Sequence, residues 1–171
     1  DILEDVAEIK EKVYTIDFPP LHEAQQTVRD DPSRWKILCA GRRFGKSRLG
    51  VQLCIEQALE GGRVWWVAPT FSIARVGWRD VVAAASVFPK ESGVEVKVGD
   101  MTVTFPGGGS IAVKSADNPQ RLRGEGLNFL VMDEAAFVRE ETWTEVLRPT
   151  LTENKGSALF ISTPIGMDNW F

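Results

Sequence analysis

The chain has 171 residues, 43% of them apolar and 26% charged, with one histidine, two cysteines and a net charge of −4. A chain of this length buries roughly 70% of its unfolded surface, so one soluble domain can hold its core without disulfides or a structural metal. No apolar run approaches the roughly 20 residues of a membrane span, and nothing at the N-terminus reads as a signal peptide. Cys39 and Cys54 both sit inside apolar segments, which argues against a disulfide scaffold or a zinc site and for a reducing cytosol.

The net charge argues at first against a nucleic-acid partner, because domains that track phosphates are usually basic. Position changes that reading. Residues 1 to 30 hold eight acids and three bases, whereas the rest of the chain is nearly balanced, with 16 acids and 17 bases. The acidity therefore belongs to the leader. The final stretch, Ile165-Gly166-Met167-Asp168-Asn169-Trp170-Phe171, has two aromatic residues and no closing helix, the pattern expected of a fragment of a longer chain.

In chain order, Ile2, Leu3, Val6, Ile9 and Val13 fall at spacings of one helical face, which predicts a leader helix before a linker ending at residue 18. A second helix is predicted from Leu21 to about Val28, and Trp35 to Ala40 reads as a strand. A helix from Arg48 to Glu60 ends at Gly61-Gly62. Val64 to Ala68 reads as a buried strand, and Ile73 to Val87 as a helix stopped before Pro89. Strand alternating with helix is the signature of a mainly parallel sheet covered on both faces. From Val94 to Val113 the period changes to two, with turns at Gly99-Asp100 and Pro106 to Gly109, predicting an antiparallel meander at one sheet edge. Asn128 to Met132 returns to the core, a helix is predicted near 140–151, and Leu159-Phe160-Ile161 forms the last strand.

Ala40-Gly41-Arg42-Arg43-Phe44-Gly45-Lys46-Ser47 stands between a predicted strand and a predicted helix. It fits the phosphate-binding loop pattern with Ala40 in place of the first glycine. Several backbone N–H groups can converge on a phosphate only in a loop free of Cβ obstruction, which Gly45 allows, and the following helix offers its positive end. Lys46 is then placed to reach the β and γ phosphates and the Ser47 hydroxyl to ligate Mg²⁺. Arg42 and Arg43 set two cations beside the phosphates, either as γ-phosphate sensors or as solvated side chains.

Phe129-Leu130-Val131-Met132-Asp133-Glu134 is an apolar strand ending in two acids. In an open α/β sheet ligands bind beyond the carboxyl ends of the strands, so both acids emerge where the phosphate loop lies. Asp133 suits Mg²⁺, and Glu134 suits the orientation and deprotonation of an attacking water. That adjacent glutamate favours hydrolysis coupled to motion over transfer to a bound acceptor.

At these residues the sequence resembles the ATPase domain of the phage terminase large subunit, the motor that packages double-stranded DNA into procapsids. The resemblance runs from about Pro19 to the end and rests on the order of several segments: Leu21-His22-Glu23-Ala24-Gln25, the arginine-rich loop, Leu122-Arg123-Gly124, Asp133-Glu134-Ala135-Ala136 and Ile161-Ser162-Thr163-Pro164-Ile165-Gly166. It implies an α/β P-loop NTPase of the additional-strand, catalytic-glutamate class (ASCE). That fold is a three-layer sandwich with a mainly parallel central sheet and the β-meander at one edge. Residues 19–171 would form the ATPase domain, with a nuclease domain expected beyond residue 171.

The resemblance also implies roles. Gln25 would read the adenine edge, with Gln26 as a rival, and Ser162 and Thr163 would form the coupling motif. Arg123, or alternatively Arg121, would act as an arginine finger in trans, because both precede the acidic strand at its amino end; Arg42 or Arg43 could supply that charge in cis. The expected catalytic set is Glu134, Lys46 and Arg123. The nucleotide set is Gln25, Gly41, Arg42, Arg43, Phe44, Gly45, Lys46, Ser47, Arg48 and Thr163, with Ser47 and Asp133 on the metal. The implied cofactors are ATP and Mg²⁺. The implied partners are double-stranded DNA, further copies in a homo-oligomeric ring, a portal protein and a small terminase subunit, with no membrane, in the host cell cytoplasm. Two rivals stand beside this reading: the first motor domain of a superfamily 2-like helicase, which shares the same boxes, and a nucleotide-binding switch with negligible turnover.

Overall fold

The apolar runs assemble into a single seven-stranded sheet in a computed structural model that describes residues 18–171. The expected leader helix lies outside the described residues. The strands are β1 (Trp35–Cys39), β2 (Arg63–Ala68), β3 (Glu95–Lys97), β4 (Thr102–Thr104), β5 (Ser110–Ser115), β6 (Phe129–Asp133) and β7 (Ser157–Ser162), in the order β1-β7-β6-β2-β5-β4-β3. The first five in that order run parallel, and β4 and β3 extend the sheet antiparallel. The last strand of the expected meander thus has two partners: β5 pairs antiparallel with β4 and parallel with β2, so only β3 and β4 form the antiparallel edge.

Alternation along the central strands sends side chains to two separate cores. Trp66, Ala68, Val131, Leu159 and Ile161 pack under the helices α2 (Lys46–Leu59) and α3 (Phe71–Ala85). Trp65, Val67, Leu130, Met132, Ala158 and Phe160 face the opposite layer, which includes Val146, Leu147 and Leu151. Runs apolar on both faces are what a sheet buried between two layers requires. The short helix α1 (Glu23–Asp30) packs on α2.

Local chemistry sets the helix ends. α3 starts at Phe71, ahead of the expected Ile73, because the Thr70 hydroxyl accepts from the Ile73 N–H at 3.3 Å and caps the helix. α2 likewise starts earlier than expected, at Lys46, since Gly45 in the left-handed region (φ 88°) turns the chain straight into the helix. The helix expected near 140–151 forms over 140–150, with its middle, Thr142–Leu147, wound as a π-helix that runs into the single turn α4 (Arg148–Thr150). Pro149 has no N–H to close the α-helical ladder there, and the wider spiral keeps Val146 and Leu147 buried.

The indole of Trp66 fills the space between α2, α3 and the sheet. A Cβ added at Gly77 of α3 would lie 2.3 Å from Trp66 Nε1, and one at Gly50 of α2 would lie 2.9 Å from its six-membered ring. Both helices therefore reach the sheet through glycines. Gly77→Ala gains up to about 1 kcal/mol of helix propensity but overpacks a side chain with no room to move, a penalty of about 1–3 kcal/mol. The clash wins, and chemical denaturation should show a net loss of stability.

Candidate functional site

The phosphate-loop residues Gly41 to Gly45 join the carboxyl end of β1 to α2. Arg43 at φ 68° joins Gly45 in the left-handed region, a conformation costing a non-glycine residue on the order of 1 kcal/mol. The loop curls around Lys46, whose Nζ donates to the Ala40 carbonyl at 2.7 Å and the Gly41 carbonyl at 3.0 Å. Ser47 lies in the first turn of α2, while Arg42 and Arg43 are exposed.

Upstream residues brace this loop from outside. Gln25 is only 2% exposed. Its Nε2 donates to the Gly45 carbonyl at 3.0 Å and the Phe44 carbonyl at 3.4 Å, and its Oε1 accepts from the His22 N–H at 3.1 Å. His22 caps α1 by accepting from the Gln25 N–H at Nδ1, its Nε2 lies 3.0 Å from the Phe44 carbonyl, and its ring meets the Phe44 ring edge to face at 4.9 Å. The Gln25 amide is thus engaged with backbone, and Gln26 donates to the Leu21 carbonyl. Arg48 donates to the carbonyls of Pro19 and Pro20, the latter at 2.7 Å, which ties α2 to the segment before α1.

The acids stand across β7 from the loop. Because β7 lies between β1 and β6, the Ala40 N–H reaches the Ser162 carbonyl at 3.2 Å, and the Ser162 hydroxyl donates to Glu134 Oε2 at 3.5 Å. The same hydroxyl accepts from the Ala136 N–H at 3.4 Å. It is Ser162, which is fully buried, and not the partly exposed Thr163, that touches Glu134. Glu134 itself is left-handed, with φ 45° and ψ 47°, and its N–H donates to Asp133 Oδ1 at 2.9 Å. Burial pushes the Asp133 carboxyl up to about 6, with the negative charges of Glu134 and Asp80 adding to the effect.

The donors suit a Mg²⁺ ion held jointly with phosphates. Among the described residues no three His, Cys, Asp or Glu side chains converge into a self-sufficient metal cage. Magnesium at phosphate sites takes only one or two protein oxygens, the rest coming from phosphate and water. The Ser47 hydroxyl and the Asp133 carboxylate are such oxygens, and a cation would relieve the cost of ionising half-buried Asp133.

Arg121 and Arg123 are exposed and lie in the crossover from β5 to β6, Arg121 within a short 3-10 turn, Pro119–Leu122. Arg123 lines a cleft with Glu125, Glu145 and Glu153. Among the described residues no carboxylate lies within ion-pair distance of it. Three contributors carried no signal of their own in the sequence. His22 replaces the usual capping hydroxyl in a cap-x-x-Gln pattern that would have marked it; Asp80 and Trp66 come to Asp133 from distant parts of the chain.

A raised carboxyl is stabilising to the fold only while protonated. As pH rises from about 4, the unfolded chain ionises Asp133 before the folded chain does, so stability falls until the pH passes about 6. Asp133→Asn, which can keep the oxygen that accepts from Glu134, should therefore gain about 1–3 kcal/mol of metal-free stability at pH 7. Denaturation at pH 7 and pH 4 checks this, the gain vanishing at the lower pH.

A family model described as the terminase large subunit, T4likevirus-type, N-terminal, matches residues 37–171. The terminase large subunit of Thermus virus P23-45 is 35% identical over 169 residues, covering 88% of this chain and 35% of that protein. The chain thus spans about a third of the length of that relative. The large terminase ATPase domain of Thermus phage P74-26 superposes with a TM-score of 0.77 at 29% identity, over 90% of this chain and 68% of that one. The large terminase of bacteriophage HK97 shares the fold, with a TM-score of 0.72 at 17% identity over 94% of this chain and 37% of that one. Additional strand, phosphate loop and acidic strand together with a family match over most of its length place the chain in the terminase large subunit family.

Proposed function

We propose that this chain hydrolyses Mg²⁺-bound ATP and that the protein containing it drives double-stranded DNA into a procapsid as a homo-oligomeric ring. The observation that carries the reading is the hydrogen-bonded path from the phosphate loop through Ser162 to Glu134. Membership of the terminase family favours this motor over the helicase rival.

In this mechanism Lys46 exchanges the Ala40 and Gly41 carbonyls for the β and γ phosphates, a replacement that keeps its ammonium fully hydrogen-bonded. Ser47 and Asp133 would hold the magnesium, which would supply positive charge against that developing on the phosphates. Glu134 takes the proton of the attacking water, and its left-handed backbone aims the carboxylate out of the strand line. Ser162 senses the outcome, since its carbonyl is bonded to the loop and its hydroxyl to Glu134. Gln25 acts on the nucleotide through Phe44 and Gly45; reading the adenine edge directly would require its amide to leave those carbonyls. Arg123, exposed in the crossover before β6, serves a neighbouring subunit. A portal protein and a small terminase subunit are the proposed partners, in the host cell cytoplasm.

Glu134→Gln should bind ATP but lose about 10²–10⁴-fold in steady-state hydrolysis. Unchanged turnover with intact binding would remove Glu134 as the base. For the finger, rings mixing Arg123→Ala with Lys46→Ala subunits should recover part of the activity that each homogeneous variant lacks. No recovery in a verified mixed ring would argue that the arginine acts in cis.

A further inference from the structure

Trp66 Nε1 is the one buried side-chain nitrogen or oxygen without a hydrogen-bond partner among the described residues. An indole N–H is a donor only, and a buried donor left without an acceptor is costly, so natural folds rarely keep one without a use. Trp66 pairs in register with Val131, two residues before Asp133 on the same face of β6. Gly50 and Gly77 close over the ring, and the Gly77 position crowds Nε1 itself, so the indole has no room to swing elsewhere. Val131 and Asp133 project to the same face of the sheet as Trp66, so the indole and the Asp133 carboxyl share that face at the carboxyl end of the strands. The two groups therefore lie on one face of the sheet, and the indole N–H there has no hydrogen bond.

We propose that Trp66 is a positioning residue whose indole N–H, held between two glycines, donates to the Asp133 carboxylate and fixes it for the metal. The inference rests on the reading of Asp133 as a metal-holding carboxylate. One Asp133 oxygen already accepts from the Glu134 N–H. With Trp66 as a second donor the carboxylate is held at two points, and its remaining lone pairs are presented to the cation. The wedge explains why α2 and α3 both approach the sheet at glycine: each makes space for an aromatic ring whose polar atom has work at the site.

The test is Mn²⁺ binding to the full-length protein with ADP, read by electron paramagnetic resonance, for wild type, Trp66→Phe and Asp133→Asn. Trp66→Phe keeps the ring and removes the donor. It should weaken Mn²⁺ binding on the order of tenfold, as loss of a partner behind a metal ligand does, while affinity for ADP in EDTA stays that of the wild type. A merely structural role would move both affinities or neither, and either result overturns the proposal. If Asp133→Asn leaves Mn²⁺ affinity unchanged, the metal reading of Asp133 falls and this inference with it; if Asp133→Asn weakens it and folded Trp66→Phe does not, only the inference falls. Should Trp66→Phe fail to fold, the wild-type Trp66 indole N–H resonance decides. It should shift when Mg²⁺ and ADP are added and lose that response in Asp133→Asn; a resonance indifferent to both overturns the proposal.

Discussion

The insertion of β7 between β1 and β6 is the constraint on which the site is built. Parallel strands stand about 4.8 Å apart, so the phosphate loop after β1 and the acids after β6 are separated by two strand spacings. That gap leaves room for a nucleotide's phosphates between cation and carboxylates. It also sets the end of β7 beside both, and Ser162 sits there with its carbonyl on Ala40 and its hydroxyl on Glu134. The full burial of Ser162 matters, because its hydroxyl, away from water, has only the Glu134 carboxylate and the Ala136 N–H as partners.

Around that junction the protein carries local costs that a merely stable domain would shed. Asp133 is half-buried beside two other acids, Glu134 and Arg43 are left-handed, and Lys46 is folded back on its own loop. Each is a group prepared for a partner that brings opposite charge or a matching hydrogen bond. The surroundings compensate: aliphatic and tryptophan side chains fill both faces of the central strands.

The brace formed by His22 and Gln25 ties the loop to a separate helix. A loop held only at its two ends could rearrange freely when phosphate binds or leaves; here the Phe44 and Gly45 carbonyls are gripped by side chains of α1, and Arg48 anchors the base of α2 to Pro19 and Pro20. Movement of the loop must then be felt by α1. In a ring motor of the kind proposed, that provides a second route, besides Ser162, by which nucleotide state could reach other parts of the molecule.

Much of this was legible in residues alone. The phosphate loop and the acidic pair are short-range patterns whose chemistry depends on adjacent residues, and the strand and helix periods follow from side-chain geometry along one segment. Hence the alternating α/β order, the class of fold and the residues at the loop and the acidic strand could be named from the sequence. Less legible were features set by residues far apart. The doubled role of β5, the π-helical turn before Pro149, the turning of the Gln25 amide onto the loop and the choice of Ser162 over Thr163 all depend on which strands become neighbours and which face each side chain takes. Trp66 is the plainest case. In sequence it is one more apolar residue in a buried strand, and only the packing of two helices through Gly50 and Gly77 leaves its one polar atom without a partner near Asp133, because burial and orphaned hydrogen bonds are properties of the assembled chain.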